Sequence, residues 1–153
     1  DIVKVAVVER HQGTGNVACG FLKGYGIKAG AVALSIAHDS HNIIVVGVSD
    51  EEMEFAVNSL IAQEGGMVLV KEGKVIESMP MPIAGLMSDQ SGEWVDEKLT
   101  AIHAKAYEEL GIAGDVEPVM TLCFMSLAVI PEVKLTDMGL FDVTTFSFIP
   151  VEA

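Results

Sequence analysis

Apolar residues along this chain fall into short runs separated by polar punctuation, and the length and period of each run decide what it builds. Residues 2–9 are Val-rich and alternate loosely, which predicts a first strand. Arg10-His11-Gln12-Gly13-Thr14-Gly15-Asn16 follows as a two-glycine turn. Residues 17–27 place Gly20, Gly24 and Gly26 among Phe21 and Tyr25, the pattern of an irregular strand packed closely against another element. Residues 30–36 and 43–48 are nearly continuous apolar runs, as expected of central strands covered on both faces. Between them lies a dense polar knot, Ala37-His38-Asp39-Ser40-His41-Asn42, which reads as a connection between two buried strands.

Ser49 followed three residues later by Glu52 is a capping box, and Met53, Ala56, Val57, Leu60 and Ile61 then recur at helical spacing up to Gly65-Gly66. Residues 67–70 and 74–78 form a hairpin around Lys71-Glu72-Gly73, which Pro80 and Pro82 end. A short apolar segment over residues 83–89 leads to a second helix beginning near Ser91 and stopping at Gly111, with Val95, Leu99, Ile102 and Ala106 on its buried stripe. His103 adjoins that stripe and reads as structural. Pro118 suits the first turn of a third helix over residues 119–127. Thr136 to Gly139 is a turn, and residues 142–149 alternate as a last strand. The expected fold is therefore a single α/β (α+β) domain over residues 1–153, with a mixed, mostly buried sheet covered by about three helices.

Composition sharpens this picture. The 153 residues carry 22 acidic against 9 basic side chains, a net charge of −13, with no Lys/Arg cluster, so a phosphate backbone would be repelled and nucleic-acid binding is excluded. Half the residues are hydrophobic and the mean hydropathy is +0.45, more apolar surface than one small core needs, which anticipates a covering role toward another domain or subunit. No apolar run reaches the roughly 18 residues of a membrane span. The two cysteines, Cys19 and Cys123, stand in apolar contexts and are expected as reduced core residues of a cytoplasmic protein. The chain starts without Met almost inside a strand, which reads as a fragment.

The polar knot carries the candidate chemistry. Two imidazoles, a carboxylate, a hydroxyl and an amide lie within six residues and supply acid, base, donor and acceptor. Arg10-His11 at the preceding strand end is a second candidate. Gly13-x-Gly15 with Gly20 misses the dinucleotide fingerprint, and Ser40 lacks the surroundings of a nucleophile elbow. His38-x-x-His41 with Asp39 offers too few ligands for zinc, even with His11 added, so no metal is expected within this chain. Ligand contact or proton traffic at a strand-end pocket, or a purely structural tie between strands, remain as readings.

Arg10-His11 with Gly15-Asn16, the Gly20-Phe21, Lys23-Gly24 and Gly26 series, Ala37-His38-Asp39-Ser40-His41-Asn42-Ile43, and Pro82-Ile83-Ala84-Gly85-Leu86-Met87-Ser88 together resemble the C-terminal domain of bacterial adenine deaminase, in the amidohydrolase superfamily. The resemblance runs over nearly the whole chain; Gln12 departs from it where many relatives carry His. It implies a purine-salvage reaction, hydrolysis of adenine to hypoxanthine and ammonia. It also implies a divalent metal, manganese, iron or zinc, that lowers the pKa of a bound water. The H-x-H metal motif of the superfamily is absent here, so the metal is expected in an N-terminal barrel of the same polypeptide, with this domain inactive alone. On this view His38 and His41 are candidate proton-transfer residues, Arg10, His11, Asp39, Ser40 and Asn42 candidate substrate contacts, and the parent a homo-oligomer. The alternative is a structural or oligomerisation module of the same enzyme that never touches substrate.

Overall fold

The computed structural model describes residues 1–152. Six strands form the main sheet: β1 (Ile2–Val8), β2 (Val17–Lys23), β3 (Ala31–Leu34), β4 (Ile43–Gly47), β5 (Gly66–Lys71) and β6 (Lys74–Pro80), in the order β2-β1-β4-β3-β5-β6. Three helices, α1 (Asp50–Ala62), α2 (Gly92–Glu108) and α3 (Pro118–Cys123), cover it, and β7 (Val133–Thr136), β8 (Gly139–Asp142) and β9 (Ser147–Ile149) make a separate three-stranded sheet. The α+β class and the three helices match the sequence expectation. The ladders, however, are antiparallel throughout rather than mixed. The continuous apolar runs of β3 and β4 are buried on both faces, as the sequence anticipates, but within an antiparallel sheet.

Alternation along the strands shows this directly. Val32 and Leu34 of β3, with Val5, Val7, Ile44, Val46 and Leu69, face a core closed by Ile102, Ala106, Leu122 and Leu135. Ala31 and Ala33, with Val45, Val68 and Val70, face Met53, Ala56 and Leu60 of α1. The second face takes alanines at β3 because α1 packs down directly upon it. Each helix starts where the sequence anticipates. Ser49 caps α1 by accepting from the Glu52 amide, Ser91 caps α2 by accepting from Trp94, and Pro118 opens α3.

Three local expectations need correction. The third helix stops at Cys123 and continues only as a 3-10 turn over Phe124–Ser126. The anticipated last strand over residues 142–149 is two strands, because the Asp142 carboxylate accepts from Thr144 N (2.8 Å), Thr144 Oγ1 (2.6 Å) and Thr145 N (3.3 Å) and so folds the chain back. Cys123 is buried, but Cys19 is exposed on β2. The small sheet packs across β1 and β2 above Gly20, where a Cβ would lie 3.3 Å from Leu140 Cδ2; glycine is what admits that contact. Among the described residues no helix is long and apolar enough to cross a membrane.

Candidate functional site

The register brings one set of chain segments to one end of the main sheet: the β1–β2 turn, the β3–β4 connection containing the knot, the start of β5, and the segment after β6. The Arg10-His11 pair and the knot, far apart in sequence, are therefore neighbours in space.

Arg10 joins these segments. Its Nε donates to the carbonyl oxygen of His41 (2.6 Å) and its Nη2 to that of Ala84 (2.9 Å), while its backbone N–H donates to Asn42 Oδ1 (3.2 Å). None of the ion pairs among the described residues involves Arg10, so carbonyl dipoles are the observed partners of its charge. The accepting segment is a tight turn in which Ile83 and Met87 exchange backbone hydrogen bonds and Ala84 and Gly85 have φ of 59° and 73°. Buried Ser35 holds its other side: Ser35 Oγ donates to Gly85 O (2.6 Å) and accepts from Gly66 N (2.7 Å). Gly85 is required here, since a Cβ would meet Arg10 Nη1 at 3.0 Å and Ser35 Oγ at 3.1 Å.

His11 is placed by Glu9. The Glu9 carboxylate accepts from the backbone N–H groups of His11, Gln12 (2.7 Å) and Thr14 (3.0 Å), and from Thr14 Oγ1 (3.0 Å). These donors, led by the Thr14 amide, hold its pKa down from 4.5 to about 2. With the turn pinned, His11 Nε2 lies 2.7 Å from the carbonyl oxygen of Ser40. A carbonyl can only accept, so the proton of that contact sits on Nε2. The sequence reading missed Glu9 and Ser35. A carboxylate directly before a two-glycine turn was the available signal for Glu9, whereas nothing local marks Ser35.

The knot itself turns tightly, with His41 N donating to Ala37 O (2.7 Å) and His38 N to Cys123 O (3.0 Å). The His38 ring stacks on Phe124, centroids 5.1 Å apart, and meets the His41 ring edge-on at 5.2 Å. Burial, then the neighbouring His38 and the Arg10 charge, lower the His41 pKa, so its ring is neutral at neutral pH. His41 Nδ1 is enclosed without a hydrogen-bond partner. Asp39 and Ser40 line an open cleft of about 360 Å³ together with Ser126, Val129, Asp137, Met138 and Phe148. Asn42 is buried and already engaged by Arg10 N. The seven expected residues thus share one end of the sheet but divide: Arg10, His11 and Asn42 make the observed backbone contacts, while His38, Asp39, Ser40 and His41 keep side-chain functions without a hydrogen-bonded partner among the described residues.

His103, anticipated as structural, contacts the carboxylate of Glu117, the residue that caps α3 by accepting from Met120 N. No three His, Cys, Asp or Glu side chains among the described residues converge as a metal would require. The donor set of the described residues does not fit the divalent metal implied by the resemblance.

A family model described as "Adenine deaminase C-terminal domain" matches residues 1–147. The chain is 74% identical over its whole length to "Adenine deaminase 2" of Desulfotalea psychrophila. It is 53% identical over 98% of its length to "Adenine deaminase" of Nitratidesulfovibrio vulgaris, and 47% identical over 99% to that of Bacillus subtilis. It covers 27%, 26% and 26% of those proteins, so the chain spans about a quarter of the length of the curated relatives it matches. On the family match and on identities of this size along the whole chain, it belongs to the adenine deaminase C-terminal domain family.

Proposed function

We propose that this chain serves an adenine deaminase, in purine salvage, by closing over a catalytic barrel supplied by the rest of the polypeptide, with the polar knot turned toward the purine. The observation that carries this reading is the set of four side chains, His38, Asp39, Ser40 and His41, held at a sheet end by other residues yet, among the described residues, without hydrogen-bonded partners of their own. A carboxylate and a hydroxyl can read the ring nitrogens and exocyclic amine of adenine. A neutral imidazole can accept a proton from the adding water and return it to the departing ammonia, balancing adenine plus water against hypoxanthine plus ammonia. His41 suits that exchange because its lowered pKa leaves it neutral. Arg10, His11 and Asn42 act at one remove, by setting the position of the knot. On this reading the manganese, iron or zinc expected of the parent would be held by residues of the barrel.

Ammonia release from adenine by the full-length protein tests this. His38→Ala and His41→Ala are expected to lower kcat/KM by about 100-fold, the scale of a lost proton-transfer group. Unchanged kcat/KM in both variants would remove the knot from the reaction and leave a module of assembly alone.

A further inference from the structure

The three-stranded sheet presents more apolar surface than its own fold uses. Phe146 and Met138 are 77% and 70% exposed, and Val129 and Phe148 are 67% and 52% exposed. Phe146 and Phe148 both meet the ring of Phe141 edge-on, at 5.2 and 5.3 Å, so the aromatics form one surface cluster rather than scattered residues. The turn between β8 and β9 holds Phe146 at φ 53°, a left-handed conformation that bulky side chains rarely adopt. Four contacts to Asp142 and Ser147 brace that turn. Apart from its edge-on contact with Phe141, this left-handed backbone displays the phenyl ring to water, an arrangement that suits an anchor residue.

Two observations bear on its occupant. The cleft lined by Asp39 and Ser40 of the knot is lined as well by Met138, Phe141 and Phe148, so a body seated there touches both the knot and this face. The chain spans only 26–27% of its relatives' length, so in those proteins the remainder is nearly three times the size of this domain. We propose that the aromatic face of the small sheet, anchored by Phe146 and Phe148, is the docking surface on the preceding catalytic part of the same polypeptide. This rests on the capping reading above, and adds where the contact is made. A second apolar groove, lined on β2 by Val17 and Cys19, is shared with Lys4, Asp50 and Glu54 rather than with the knot.

Hydroxyl-radical footprinting of the full-length protein tests this, with each residue's oxidation rate referred to the urea-unfolded protein. Phe146 and Phe148 are expected to be protected about tenfold at every protein concentration, and Phe146→Asp is expected to release that protection at Phe148 and Met138. Rates for Phe146 and Phe148 near those of their open exposure here would overturn the proposal. So would protection that disappears on dilution, which would assign the face to a second copy. Footprinting does not depend on turnover, so a protected face beside a catalytically silent knot would sink the capping mechanism and leave the docking surface standing.

Discussion

The Nε of Arg10 donates to the carbonyl oxygen of His41 across 2.6 Å, and through this bond the β1–β2 turn sets the backbone of the knot. The same guanidinium reaches Ala84, so one side chain fastens three segments at the sheet end. A half-buried cation bonded to carbonyls contributes more than a neutral donor would.

Arg10→Ala is expected to destabilise the protein by about 2 kcal/mol, two charge-assisted hydrogen bonds being lost with partial replacement by water. Arg10→Lys should recover less than half, because one ammonium cannot reach both carbonyls in the geometry of a planar fork. Hydrogen exchange at the Leu86 and Met87 amides, both bonded to Ile83 O, reports the loosening directly. Unchanged exchange there would show that the turn stands without Arg10.

Gly65 tests the same junction from the opposite side. Its φ is 102°, and a Cβ there would fall 2.6 Å from Gly85 Cα. Gly65→Ala should therefore cost about 2 kcal/mol or more and displace the residue 83–87 turn. Chemical denaturation measures the first effect and exchange of the Met87 amide the second.

Glu9 makes the fold sensitive to acid. Its folded pKa lies below the unfolded value, so the stability it contributes is fully present above pH 4.5 and is lost as pH falls toward about 2. Glu9→Gln is expected to flatten that part of the stability profile and to free the His11 ring from Ser40. Carbon-detected NMR titration of the Glu9 carboxyl should place its midpoint near 2; a midpoint at the ordinary carboxylate value would contradict the amide cradle.

His41 acts in the same direction in a different window. Its folded pKa is lowered from 6.5, so the unfolded chain takes up a proton first as pH falls, and stability declines from about pH 6.5 until the folded ring also protonates. His41→Gln should remove this step. NMR titration of the ring should show a midpoint below 6.5 in the native protein, moving upward in Arg10→Ala, which deletes one of the charges that depress it.

Much of the fold was legible in the sequence because its signals are local. The β3 and β4 runs, the Ser49 and Ser91 caps and the Pro118 start depend on residues within a few positions of each other, and each stands where periodicity anticipates. Strand direction was not legible. A run such as Ile43–Gly47 is apolar because α1 and the opposite core cover both faces, and burial of that kind looks the same in parallel and antiparallel sheets. The break at Thr144–Phe146 was hidden because Asp142 reads as one polar position of an alternating strand until its carboxylate is seen to accept from the next turn. At the site, the polar knot was visible as an interruption in the apolar pattern, but not the division within it. That Arg10 serves carbonyls 31 and 74 residues away, and that Ser35 links Gly66 to Gly85, are long-range pairings with no trace in the spacing of the residues.

The central claim is that the segment from His38 to His41 faces a reaction centre carried by another part of the polypeptide. A crystal structure of the full-length protein with a bound purine measures this most directly, as the distance from these side chains to the ring. The account predicts an imidazole nitrogen of His38 or His41, or an oxygen of Asp39 or Ser40, at about 3 Å from a purine heteroatom. All four side chains turned to bulk solvent, far from the purine, would contradict it.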